Sequence, residues 1–304
     1  MGTDGILNVN KPEGWTSFRV VAWLRRLTGE RRVGHAGTLD PIATGVLPVC
    51  FGQATRVVEF LAGDSKAYLA EIRLGATTDT FDREGKVVGT GDTIGITPDK
   101  IESALASFRG TIEQTPPAYS ALKKDGKPYY QLVRQGLSPE LRPRRVTIHS
   151  IRLIKYEPPV VTVEVECGKG TYIRSLAHDL GQRLGCGAYL NSLTRLRCGP
   201  FTIDDAVTLP QFESAYHEGN WRELLHPIDA PLLDWKAAIL DRQSECSLRH
   251  GNPLVLPVDA MVGERYCLAY SRDGYLVAVL RFVADKGHWH PFKVFSPPEE
   301  WVDL

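Results

Sequence analysis

The stretch from Val146 to Cys167, VTIHSIRLIKYEPPVVTVEVEC, decides the fold class. Two runs dense in β-branched residues, Val146–Ile154 and Val160–Cys167, flank Glu157-Pro158-Pro159. A connection this short has no room for a crossover helix, so the pattern predicts neighbouring antiparallel strands. Working outward, Ile6–Val9, Val46–Phe51, Ala67–Leu74 and Tyr189–Leu196 also read as strands. Val20, Leu24 and Leu27 recur at helical spacing, with Thr16 or Ser17 as cap and Gly29 as stop. Further helices are predicted over Ala54–Leu61, over Asp99–Phe108 behind Thr97 and Pro98, and over Thr171–Leu184. Strands without regular crossover helices imply an α+β domain, its largely antiparallel sheet flanked by helices, not a doubly wound sheet.

Residues 114–145, rich in proline, lysine, tyrosine and glycine, read as a surface excursion with a short helix around Tyr129–Arg134. After about Asp205 the pattern loosens. A helix near Arg242–His250, then runs Tyr266–Tyr270 and Tyr275–Phe282 around the turn Asp273-Gly274, predict a small β-rich C-terminal domain. The expected division is therefore 1–232 and 235–304.

Composition narrows the class. The 304 residues are 43% hydrophobic and 24% charged, as in soluble globular proteins. No run approaches the roughly 18 apolar residues of a membrane span. The opening MGTDGILNVNKPEG lacks the basic and apolar regions of a signal peptide. Six cysteines form no CxxC pair and read as reduced, mostly buried thiols, which fits a cytoplasmic protein. His288-Trp289-His290 is the nearest approach to metal-ligand spacing and reads as a strand or loop pair, so no metal is expected. Gly168-Lys169-Gly170-Thr171 departs from the GxxxxGK[ST] phosphate loop, and Asp79, Asp82 and Glu84 lack calcium-loop spacing.

Formal charge is zero, from 36 basic and 36 acidic residues, yet basic residues cluster. Arg19, Arg25, Arg26, Arg31 and Arg32 stand against Glu30 alone. Lys123, Lys124, Lys127, Arg134, Arg142, Arg144 and Arg145 stand against Asp125 and Glu140. One such cluster is usually a solvated face; two in a neutral chain imply a positive surface suited to a polyanion.

The most unusual stretch is GHAGTLDPIATGVLP, residues 34–48. Pro41 disfavours helical backbone at Asp40, so the carboxylate is presented from an extended or turn segment. Small and apolar neighbours imply partial burial, where an ionised carboxylate needs a charged partner or several hydrogen bonds. Asp-Pro alone is more often a plain turn. Here, however, His35 to Pro41 resembles the catalytic motif of the TruB family of tRNA pseudouridine synthases. Four more stretches resemble family motifs in the family's order: Lys11–Ser17, Lys66–Thr80, Gly168–Leu176 and Leu193–Phe201. Gln114–Ala121 resembles the stretch before the family's RNA-gripping insertion. The likeness spans about residues 5–205; the tail resembles the family's PUA-like RNA-binding domain only weakly. Tyr189 replaces a frequent histidine, and Val9-Asn10 a commoner leucine-aspartate pair.

The resemblance implies a role for each matching residue. Asp40 would be the catalytic carboxylate and Arg174 its charge partner. Tyr68 would stack on the target base and assist in removing its C5 proton. Tyr172 and Leu196 would line the pocket, and His35 would fill the space left by the extruded uridine. Lys11, and from the basic cluster Arg142 and Arg144, would bind the RNA. Taken singly, Tyr68 reads as a half-buried core tyrosine, Arg174 as a surface ion-pair partner, His35 as a loop hydrogen-bonder and Leu196 as core. Their joint appearance in family order reverses that reading.

The implied activity converts uridine to pseudouridine at position 55 of the tRNA T loop. Reactant and product hold the same atoms, so no cofactor is required. The base must be flipped out of the stack, at a cost of a few kcal/mol. The implied partner is the tRNA T stem-loop, with no membrane, no protein partner and a monomeric enzyme. Two alternatives are a non-catalytic RNA-binding module on the same scaffold and a guide-RNA-dependent relative in a ribonucleoprotein. The full residue set disfavours the first, and the lack of long basic extensions disfavours the second.

Overall fold

A computed structural model describes residues 2–119, 123–124, 127–129, 141–256 and 264–297. Except at Tyr129, the helix expected near Tyr129–Arg134 lies outside the described residues, as does Arg134 of the basic cluster around it. The first strands are β1 (Gly5–Lys11), β2 (Val33–His35), β3 (Ala43–Phe51), β4 (Lys66–Leu74), β5 (Ala76–Thr78), β6 (Val87–Thr90) and β7 (Gly110–Gln114). Next come the short pair β8 (Lys123–Lys124) and β9 (Lys127–Pro128), the long β10 (Arg144–Glu157) and β11 (Val160–Cys167), and β12 (Ala188–Cys198). The short β13 (Phe201–Thr202), β14 (Val207–Thr208) and β15 (Leu225–His226) follow, then β16 (Ala237–Ile239), β17 (Tyr266–Tyr270), β18 (Leu276–Val283) and β19 (His288–Val294). The described α-helices are α1 (Ser17–Thr28), α2 (Val58–Gly63), α3 (Pro98–Ala106), α4 (Ile173–Leu184), α5 (Leu209–Glu218) and α6 (Arg242–Arg249).

The main sheet runs β14-β1-β3-β12-β4-β11-β10-β7, with β2, β13 and β15 attached at its sides. Only β1–β14 and β3–β12 are parallel, so the expected α+β class with a largely antiparallel sheet holds. The deciding stretch forms the β10–β11 hairpin, with Val161 opposite Tyr156 and Val165 opposite Ile151. Along β11, buried valines alternate with half-buried residues, the period of a strand covered mainly on one face.

The helices α1, α3 and α4 cover that face. Val20, Val21 and Leu24 of α1, Ile101 and Leu105 of α3, and Leu176, Ala177 and Leu180 of α4 join one core with the sheet's inward side chains. Thr16 caps α1 by accepting from the Arg19 amide, and Gly29 ends it at φ 72°. The β3–β12 seam requires a glycine: at Gly45, φ 95°, an added Cβ would stand 2.3 Å from the Arg195 carbonyl oxygen.

Three expectations are corrected. The Ala54–Leu61 helix is a 3₁₀ turn over Gly52–Arg56 followed by α2. The fourth helix starts at Ile173, not Thr171. The loosely patterned region beyond Asp205 contains α5, whose Thr208–Gln211 capping box and Pro210 were legible signals.

The second sheet runs β16-β17-β18-β19. One of its faces joins Leu268, Val279 and Phe295 to Ile6, Val46, Phe201 and Leu232 in a shared apolar cluster. Five of the six cysteines are buried, and all six are free thiols. Among the described residues no helix is long and apolar enough to cross a membrane.

Candidate active site

Asp40 lies in the loop between β2 and β3, and the N-terminal Lys11–Ser17 segment holds that loop in place. The Lys11 ammonium donates to the carbonyls of Pro12 (2.9 Å), Trp15 (2.6 Å) and Pro41 (3.3 Å). The Ser17 hydroxyl accepts from the Leu39 amide at 2.9 Å and donates to the Leu39 carbonyl at 3.3 Å. The Gly14 amide donates to the Pro41 carbonyl at 2.9 Å. From the other side, Arg195 donates to the carbonyls of Val46 (2.6 Å) and Gly37 (3.1 Å). Together these bonds give the loop's carbonyls and amides partners and fix its path.

Arg174 comes from the first turn of α4. Gln114, at the end of β7, fixes the start of that helix: its side chain accepts from the Tyr172 amide (2.8 Å) and donates to the Tyr172 carbonyl (3.0 Å). The Arg174 side chain is only 5% exposed, and its Nε lies 2.9 Å from Asp40 Oδ2. Its Nη2 donates to Asp40 Oδ1 at 3.2 Å and to the Tyr119 carbonyl at 2.9 Å. Its Nη1 faces Asp82 Oδ2 at 3.4 Å and the Thr80 carbonyl at 3.3 Å. One guanidinium thus serves two carboxylates from two different loops.

A cavity of about 300 Å³ opens beside this group, lined by Asp40, Lys66, Tyr68, Tyr172, Arg174, Leu193 and Arg195 among others. It sits at the small end of ligand pockets, the size for one compact group. Burial raises the Asp40 pKa; Arg174 pulls it back down, Asp82 pushes it up, and the net direction is upward. Burial pushes the Tyr68 phenol up to about 12, so it is neutral at ordinary pH. Burial lowers Lys11 to about 8, and burial followed by Arg195 lowers His35.

The structure brings Asp40, Tyr68, Tyr172 and Arg174 to one cavity, and it moves two other expected residues. Lys11 is wholly buried with its ammonium on three carbonyls, so it braces the loop and does not reach a ligand. Leu196 is absent from the cavity wall, where Leu193 and Arg195 of the same strand stand instead. Leu196 sits at the irregularity between Arg195 and Arg197, where the pairing of β12 with β4 skips a residue. His35 is half-buried on β2, and its Nδ1 has no hydrogen-bond partner among the described residues. Arg142 and Arg144 are exposed where the chain enters β10. The residues missed were Asp82, Leu193 and Arg195, each inside or next to a quoted motif.

Comparison with known proteins identifies the family. Residues 25–173 fit the family model described as TruB family pseudouridylate synthase, N-terminal domain. Residues 174–233 fit the tRNA pseudouridylate synthase B C-terminal domain. The chain is 44% identical to tRNA pseudouridine synthase B of Dehalococcoides mccartyi over 97% of both chains. It is 44% identical to tRNA pseudouridine synthase B of Pseudomonas aeruginosa over 83% of this chain and 84% of that one. A chain in the crystal structure of a Cbf5-Nop10-Gar1 complex superposes with a TM-score of 0.74 at 27% identity, covering 98% of this chain and 86% of that one. The chain therefore belongs to the TruB family of pseudouridylate synthases, enzymes that convert uridine to pseudouridine.

Proposed function

We propose that this enzyme acts on uridine 55 in the T loop of tRNA, with Asp40 as the catalytic carboxylate. The observation that carries the reading is the Asp40–Arg174 pair on the wall of a nucleoside-sized cavity that Tyr68 and Tyr172 also line. Isomerisation breaks the bond from uracil N1 to C1′, turns the base and joins C5 to C1′. It needs a carboxylate beside the ribose or base and a pocket that keeps the freed uracil from leaving. The guanidinium offsets part of the burial that raises the Asp40 pKa, and Tyr68 supplies a ring face for the base. A phenol raised to about 12 is a poor source of phenolate, so Tyr68 serves mainly as surface. His35, held neutral by burial, is suited to fill the place of the extruded base.

The enzyme works in the cytoplasm, as a monomer and without a guide RNA. The 44% identity to bacterial proteins named tRNA pseudouridine synthase B favours this over the guided reading, since identity to the Cbf5-Nop10-Gar1 chain is 27%. The C-terminal sheet, PUA-like in this reading, extends the RNA surface. The direct test is purified protein on unmodified tRNA, followed by mapping of pseudouridine. Product at position 55 without added RNA or protein is the expected result; product elsewhere, or none, would reject the reading.

Arg142 and Arg144 are exposed at the root of the basic excursion, where they suit phosphate contacts. Replacing both with glutamine should raise KM for tRNA and reduce the slope of log KM against log salt by up to about 2. An unchanged slope would put this segment off the RNA path.

A further inference from the structure

The turn after β5 holds an unusual backbone. Phe81 has φ 63°, and among the described residues it is the one non-glycine residue with positive φ. A bulky side chain is disfavoured there, and such strain persists where the surroundings enforce it. The ring lies flat on the His178 imidazole, with centroids 3.9 Å apart and planes 17° from parallel. Neither ring belongs to the hydrophobic core, and His178 Nδ1 is buried without a hydrogen-bond partner among the described residues.

The neighbours of each ring give the stack its place in the site. His178 follows Arg174 by four residues on α4, so both project from one helix face. Thr80 and Asp82, on either side of Phe81, are the residues that hold Arg174 Nη1. Asp82 Oδ1 accepts from the Thr80 hydroxyl at 2.6 Å and from the Glu84 amide at 3.1 Å, leaving Oδ2 for the guanidinium. Backbone bonds tie the turn to β12 through Leu190 on both sides of Asp82. The turn and α4 therefore meet twice, once as an ion pair and once as stacked rings.

We propose that the Phe81–His178 stack is a positioning device for the isomerisation. It locks the turn bearing Asp82 against the helix bearing Arg174, and so fixes the guanidinium that faces Asp40. This rests on Asp40 being the catalytic carboxylate. The left-handed conformer at residue 81 would suit glycine better, but glycine has no ring to lay on His178.

The experiment compares Phe81→Gly, Phe81→Tyr and His178→Ala in single-turnover reactions on T stem-loop RNA, with Asp40→Asn as reference. Phe81→Gly relieves the backbone while removing the ring, and His178→Ala removes the other ring while leaving the turn intact. Each is expected to slow the chemical step ~10-fold or more, as small misplacements of catalytic groups do. RNA affinity should stay within ~3-fold, and Phe81→Tyr should restore the rate, because it keeps the stacking face. The double variant should be no slower than either single one if the rings act as a unit. Wild-type rates in both ring-deleted variants beside an inactive Asp40→Asn would overturn the proposal. So would a Phe81→Tyr enzyme as slow as Phe81→Gly. An active Asp40→Asn would instead remove the premise about Asp40 and the proposal with it.

Discussion

Asp40→Asn is expected to reduce turnover ~10⁴-fold or more while leaving tRNA binding within several-fold. The amide has nearly the shape of the carboxylate and can still meet Arg174, but it carries neither the charge nor the basicity. The fold should not suffer. Burial raises the Asp40 pKa on folding, so the native state favours the protonated form. A raised acid contributes stability below its unfolded pKa and loses it as pH rises through the folded value. At neutral pH the ionised group therefore opposes folding, and the variant should melt at or above the wild-type temperature. The same shift sets the acid limb of activity. Wild-type turnover should fall as pH drops through a value above the ordinary carboxylate 3.8, because protonation removes the reactive form. A limb at or below 3.8, or an active Asp40→Asn, would refute the assignment of the carboxylate.

Arg174→Met should damage both catalysis and stability. The side chain is nearly buried and faces Asp40 at 2.9 Å and Asp82 at 3.4 Å. Removing it leaves two carboxylates close together with no cation between them. Breaking such a buried pair from one side costs about 3 kcal/mol, the low end of the range, since Asp40 opens to the cavity. In a domain of this size that lowers Tm by roughly 5 °C. The deficit should shrink on acidification, because a proton on Asp40 relieves the repulsion. Turnover should fall ~10²-fold or more, as expected when a preorganised charge is removed. The acid limb should also move to higher pH than in the wild type, since the group that pulls Asp40 down is gone. A variant as stable as wild type at pH 7 would show that the carboxylates do not depend on this cation.

The fold and the Asp40–Arg174 pair were legible for different reasons. The antiparallel class followed from local chemistry: β-branched runs joined by three residues can only turn back. Asp40, Tyr68 and Arg174 each have an ordinary reading, and only motif order joined residues 134 positions apart in sequence. Leu193 and Leu196 could not be told apart, because β12 has apolar residues on both faces and two register shifts, at Leu190/Ser192 and Arg195/Arg197. A strand that changes phase defeats counting by twos. Lys11 was expected on the RNA because it belongs to the N-terminal family motif. That three carbonyls surround it depends on the Pro41 loop folding over it, which no local pattern records. Asp82 was weighed only as a calcium ligand, although its place two residues after Thr80 in the second motif was the available signal.

The two family models meet between Ile173 and Arg174, so the carboxylate and its guanidinium fall in different halves of the chain. During synthesis the aspartate leaves the ribosome long before the arginine, and until then it has no cation to hold it. The β12 residues that brace its loop emerge later still. Since β12 also joins β3 to β4, a nascent chain that lacks it has two separate halves of the sheet and an unbraced Asp40 loop.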